Sequence, residues 1–128
     1  MHLVLDSSVL IAAVRPAEPD HPDARAFVER LRSAQASGAA RAFGPPELWL
    51  EVYVVEERLA HGRRAGPAPG AALRRRMRGR RPFANATDLV YLWAAREVDA
   101  TVVTLDQGML AYHGVVCDVT RPQHVRLG

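Results

Sequence analysis

The chain has 128 residues, nearly half of them apolar (48%), enough to close one hydrophobic core, so a single domain spanning residues 1–128 is expected. All 17 of its basic residues other than histidine are arginine, and Cys117 is its only cysteine. The missing lysine excludes P-loop, receiver-domain, haloacid-dehalogenase-type and Schiff-base chemistry, and the lone thiol excludes an intramolecular disulfide or a cysteine zinc site and fits a reducing cytoplasm. The formal charge of +3 is unevenly placed: nine arginines fall between Arg58 and Arg81, a stretch with no acid from Arg58 to Thr87, while the other eight face fourteen acids. A basic block on an acidic body points to a polyanionic partner, although a solvated arginine helix would look the same.

In chain order, His2 to Leu5 reads as a short buried strand, with Ser7 or Ser8 capping a helix through Val14. Asp6 interrupts this apolar opening and no basic segment precedes it, so it is not expected to be a signal peptide. No other apolar run approaches the roughly 20 residues that span a bilayer, and no membrane association is expected. Prolines at 16, 19 and 22 punctuate a turn, after which Ala24, Phe27, Val28 and Leu31 recur at helical spacing to about Gly38. Arg41 to Phe43 is a brief second strand, and a helix from Pro46 to about His61 carries Leu48, Val52, Val55 and Leu59 inward. A short arginine-loaded helix is expected near 71–78. Another, capped by Asn85 or Thr87, turns Leu89, Leu92, Trp93 and Ala95 inward until about Val98. Thr101 to Leu105 and Val115 to Val119 complete the strands. Helices alternating with short continuous apolar strands describe an α/β fold in which a parallel sheet is covered on both faces.

That topology gathers acids. In a right-handed βαβ unit each strand ends, and each following helix begins, at the same edge of the sheet. Asp6 and Asp106 directly follow strands, Asp88 opens a helix that returns to the amino edge, and Glu51 lies in the second turn after a strand. All four should meet at the carboxyl edge, where open α/β sheets bind ligands. Converging carboxylates repel and resist ionisation unless a cation joins them, and all-oxygen donors favour Mg²⁺ or Mn²⁺ over zinc. Each acid also has an ordinary reading: Asp6 and Asp88 as helix caps, Asp106 shaping a turn before Gly108, Glu51 paired with an arginine. Glu47 is the rival ligand to Glu51, and Asp118 is expected at the rim as a fifth acid. Asp99 precedes its strand and is excluded. The histidines include no i, i+4 pair for zinc.

The segments Leu5 Asp6 Ser7 Ser8 Val9 Leu10 Ile11, Leu50 Glu51 Val52, Thr87 Asp88 Leu89 with Ala94 Ala95 behind it, and Val103 Thr104 Leu105 Asp106 together resemble the PIN-domain nuclease family over almost the whole chain. The resemblance implies a three-layer α/β/α sandwich with a central parallel sheet and a ribonuclease that hydrolyses phosphodiester bonds with Mg²⁺ or Mn²⁺. Asp6, Glu51, Asp88 and Asp106 would be its catalytic and metal-binding acids, with Ser8 and Thr104 as supporting hydroxyls. Many similar bacterial proteins form a VapC-like branch, toxin halves of toxin–antitoxin pairs; this implies a small antitoxin protein and a homodimer as partners. The stretch between Glu51 and Asp88 is shorter than that branch usually has and is broken by Gly and Pro. Arg74, Arg75, Arg76, Arg78, Arg80 and Arg81, just upstream of Asp88, are the candidate RNA-binding residues. The competing reading is a catalytically silent PIN-like module that binds RNA or a protein.

Overall fold

The computed structural model describes residues 1–48, 51–52 and 86–128. The chain runs β1 (His2–Leu5), α1 (Ser7–Val14), α2 (His21–Ala36) and β2 (Arg41–Phe43), continues through helical residues 47–48 and 51–52, and resumes with α3 (Ala86–Glu97). It then forms β3 (Thr101–Val103), α4 (Gln107–Leu110), β4 (Val119–Thr120) and a 3-10 turn (Pro122–His124). The four strands make one sheet in the order β2-β1-β3-β4 with every pair parallel, an α/β arrangement. The expected arginine helix near 71–78, the six arginines from Arg74 to Arg81, Val55 and Leu59 lie outside the described residues.

Alternate residues of the short strands serve opposite faces, as the period of two requires. Leu3, Leu5 and Val103 join Val9 of α1 and Phe27, Leu31 and Ala34 of α2 in one apolar cluster. Val4, Val102 and Val119 join Tyr91, Leu92 and Ala95 of α3, with Leu48 and Met109, in another. A strand buried on both faces must be apolar at every position, which explains why Leu3, Val4 and Leu5 show no alternation. The start of α2 is set by Pro22 and by Asp23 in its first turn. Its inner face is Ala24, Phe27, Leu31 and Ala34, and its end is followed by Gly38 at φ 76°, a conformation open to glycine.

Several expectations are corrected. Leu89 and Trp93 face outward, 51% and 60% exposed, while Tyr91, Leu92 and Ala95 face the sheet. Trp93 instead receives the Arg96 guanidinium over its ring at 5.8 Å. Strand β3 spans only Thr101–Val103; Thr104 still donates its backbone N–H to the Thr120 carbonyl at 3.0 Å, and Leu105 follows beyond the ladder. The last strand is only Val119–Thr120: Val115 is exposed, and residues 113–117 close a turn with a single His113–Cys117 bridge. Since Val102 pairs with Val119, Asp118 precedes its strand and stands at the amino edge, not at the carboxyl rim. There it lies 3.9 Å from His113 and lines a small cavity with Asp99. Among the described residues no helix is long and apolar enough to cross a membrane.

Candidate metal centre

The edge of the sheet at which β1 and β3 end carries the candidate site. Asp6 follows β1 immediately and stays tied to the sheet, its backbone N–H donating to the Val103 carbonyl at 3.0 Å. It is the residue preceding α1, the position from which an aspartate ordinarily caps a helix, yet its side chain makes no cap hydrogen bond. Nor do Ser7 and Ser8 cap the helix as expected; they are its first two residues, and their hydroxyls face Asp6 instead.

The Asp6 carboxylate is asymmetric. Its Oδ2 accepts the Ser8 hydroxyl at 2.5 Å and the Thr104 hydroxyl at 2.6 Å. Each hydroxyl is itself held by a backbone donor: Leu105 N–H donates to Ser8 Oγ at 3.1 Å, and Asp106 N–H to Thr104 Oγ1 at 3.0 Å. A hydroxyl has one hydrogen, so an oxygen already receiving an N–H turns that hydrogen to the carboxylate. Two side chains and the backbone after β3 therefore fix Oδ2, while among the described residues Oδ1 has only a distant Ser7 hydroxyl at 3.5 Å. Thr104 is fully buried, so replacing it by Val strands the Asp106 N–H and removes one of the two hydroxyl donors to Asp6 Oδ2. We expect that change to cost about 1–3 kcal/mol in thermal unfolding, and Thr104→Ser, which keeps the hydroxyl, clearly less. A larger loss in Thr104→Ser than in Thr104→Val would mean that the methyl, not the hydroxyl, matters.

Asp6 is 6% exposed, and its pKa is raised from the ordinary 3.8, first by burial and then by the negative charges of Glu51 and Asp106; the Ser8 and Thr104 hydrogen bonds oppose the rise. Glu51 and Asp106, two of the other expected acids, thus both act on Asp6 at this edge. Glu51 is half-buried, whereas its rival Glu47 is exposed. Asp106 also keeps its ordinary role, capping α4: its Oδ1 accepts Gly108 N–H at 2.7 Å and Met109 N–H at 3.3 Å. Asp88 is half-buried in the first turn of α3, a position where the helix dipole alone favours an acid. The direction of α3 is fixed by its end, since the Val98 carbonyl receives the Nδ1–H of His2 at the amino edge. Its start, and Asp88, therefore point toward the carboxyl edge.

The sequence reading missed Tyr91. Its hydroxyl donates to Glu51 Oε2 at 2.8 Å, and burial together with the charges of Glu51 and Asp6 pushes its pKa up. The available signal was the spacing Asp88 to Tyr91, one helical turn on one face, together with the need of a buried phenol for a partner.

The donor set suits a hard divalent cation. It is entirely oxygen, contains a desolvated carboxylate under like-charge pressure, and presents one oriented oxygen. Among the described residues no three His, Cys, Asp or Glu side chains stand close enough to form a metal-holding group. Mg²⁺ does not need such a cage, because it keeps several waters and is commonly held by one or two carboxylates plus a substrate phosphate. No protein-family model, curated protein or solved structure matches the chain.

Proposed function

We propose that this protein is a metal-dependent ribonuclease with a PIN-like three-layer α/β/α fold. The observation that carries the reading is the Asp6 carboxylate, buried at the carboxyl edge, pressed by Glu51 and Asp106, and held through one oxygen by Ser8 and Thr104. Aspartate spent on helix capping or on a surface turn would not be desolvated in this way. Asp6, Asp106 and Asp88 would hold Mg²⁺ or Mn²⁺ directly or through water, and Glu51 would ligate or orient the attacking water. When bound, the metal supplies an activated water and stabilises charge on the transferring phosphate. Ser8 and Thr104 keep Asp6 in one rotamer, and the arginines upstream of Asp88 bind the substrate backbone without reading bases. A toxin whose activity a small antitoxin protein restrains, working as a homodimer in the cytoplasm, is the biological setting this reading carries with it.

The test is cleavage of a single-stranded RNA with Mn²⁺, with Mg²⁺ and with chelator. Cleavage abolished by chelator supports the reading, and no cleavage under any condition removes it. The second reading, a silent module that binds RNA or protein, is favoured by the capping role of Asp106 and by the lack of a three-ligand group among the described residues. It expects RNA binding that is indifferent to metal.

The arginines give a separate prediction. Each phosphate contact releases counterion, so single-strand affinity falls with log salt at a slope of about 0.7 per contact. Changing Arg74, Arg75 and Arg76 together to Gln should weaken RNA binding and flatten that slope while leaving Mn²⁺ affinity unchanged. Wild-type affinity and slope in the triple variant would make the basic block a solvated face.

A further inference from the structure

Helix α3 packs against β1 and β3 and turns Tyr91 into the apolar cluster around Val4, Leu48, Leu92 and Met109. The side chain is 1% exposed. A phenylalanine would fill such a place without the cost of burying a hydroxyl, so the phenol oxygen calls for a partner. That partner is Glu51 Oε2 at 2.8 Å, forty residues earlier in the chain, on the helical segment that follows β2.

We propose that Tyr91 is a positioning residue for Glu51, holding Oε2 through its buried hydroxyl so that Oε1 is the oxygen offered to a divalent cation at the Asp6 edge. The proposal rests on the metal-centre reading above. Its physical basis is the difference between the two acids. Asp6 is fixed by two hydroxyls anchored on backbone N–H groups, as the short side chain of a residue next to a strand allows. Glutamate has one more rotatable bond and stands on a different element, so it would sample several rotamers unless something tethered it. The Tyr91 hydroxyl is a donor whose own position is set by ring packing rather than by a flexible stem. Asp88 lies one turn earlier on the same helix, so a single rigid element would carry both a ligand and the tether of another ligand.

Partners that orient metal-binding side chains typically change metal affinity by about 10–100-fold when removed. The experiment is Mn²⁺ titration calorimetry on four full-length proteins: wild type, Tyr91→Phe, Glu51→Ala and the double variant. Tyr91→Phe keeps the ring and its packing, and should weaken Mn²⁺ binding about 10-fold. On the Glu51→Ala background the same change should have no further effect, because the carboxylate through which Tyr91 acts is gone. RNA cleavage at saturating Mn²⁺ should fall in Tyr91→Phe through kcat, with KM for RNA unchanged. Equal weakening on both backgrounds would assign Tyr91 to packing alone and overturn the proposal. Unchanged Mn²⁺ affinity in Tyr91→Phe would overturn it while leaving the metal centre standing. Wild-type protein that binds no Mn²⁺ would overturn the metal centre and the tether together.

Discussion

Asp6→Asn is expected to abolish Mn²⁺-dependent RNA cleavage, lowering the rate by at least about a thousandfold, without unfolding the protein. Metal activation contributes several kcal/mol to such a reaction, and about 1.4 kcal/mol is a factor of ten. The geometry explains why so small a change is so damaging. The amide oxygen of Asn can take the place of Oδ2 and accept both the Ser8 and the Thr104 hydroxyls. That choice puts the NH₂ group where Oδ1 stood, so that position donates instead of accepting. The variant would keep the Ser8 and Thr104 hydrogen bonds and lose the anionic oxygen that the proposed cation needs. Because burial and the charges of Glu51 and Asp106 all oppose ionisation of Asp6, the metal-free variant should melt no lower than wild type, and by a few degrees higher at neutral pH. Paired measurements of cleavage and melting decide the matter. Cleavage at the wild-type rate removes Asp6 from the mechanism. Lost cleavage accompanied by a large fall in melting temperature makes Asp6 a structural acid.

The sites legible in the sequence were those that a strand delivers directly. Asp6 could be placed because an apolar run names its strand, and the next residue after a parallel strand has only one edge to occupy; Asp106, three residues beyond the end of β3, was placed by the same rule from a strand expected to run two residues longer. Ser8 and Thr104 were implied by the family resemblance alone, and the structure adds that both spend their hydrogens on a single oxygen of Asp6. Glu51 required a helix to be phased, which its apolar neighbours Leu48 and Val52 allowed; both pack with the cluster beneath α3.

What failed depended on phase or register. In α3 the residues Leu89, Tyr91, Leu92, Trp93 and Ala95 are all able to face a core, and two different stripes can be drawn through them. Choosing the larger apolar side chains selected Leu89 and Trp93, whereas the packing chose the stripe containing Tyr91, whose polar tip could reach Glu51. Arg96 makes the outward position of Trp93 tolerable by covering its ring. Asp118 was misplaced by a strand read a few residues too early: with β4 at Val119–Thr120, the same acid moves from one edge of the sheet to the other. Apolar composition marks a strand, but only the hydrogen-bonded ladder says where it starts.

Saturating Mn²⁺ should raise the melting temperature of the wild-type protein strongly at neutral pH and hardly at all at acid pH below 3.8. Metal that binds only the folded chain stabilises it by about 2.7 kcal/mol at a hundred times its dissociation constant, which for a domain of this size is a shift of about 10 °C. The pH dependence follows from Asp6. Its folded pKa lies above 3.8, so between 3.8 and the raised value the folded state binds more protons than the unfolded chain does. Stability from this group is therefore lost as pH rises through that window, and above it the metal-free protein carries the full penalty of an ionised, buried carboxylate. The cation requires that same ionised form, so its stabilisation appears only as the window is crossed and offsets the penalty there. Other carboxylates titrate over the same range, and the contribution of Asp6 is isolated by subtracting the melting curves of Asp6→Asn measured at each pH. That difference should be a metal-free loss of stability on raising the pH and a Mn²⁺-dependent gain, both absent from the variant. A shift of equal size below pH 3.8 and at pH 7, or one that persists in Asp6→Asn, would put the bound Mn²⁺ somewhere other than the edge where β1 and β3 end.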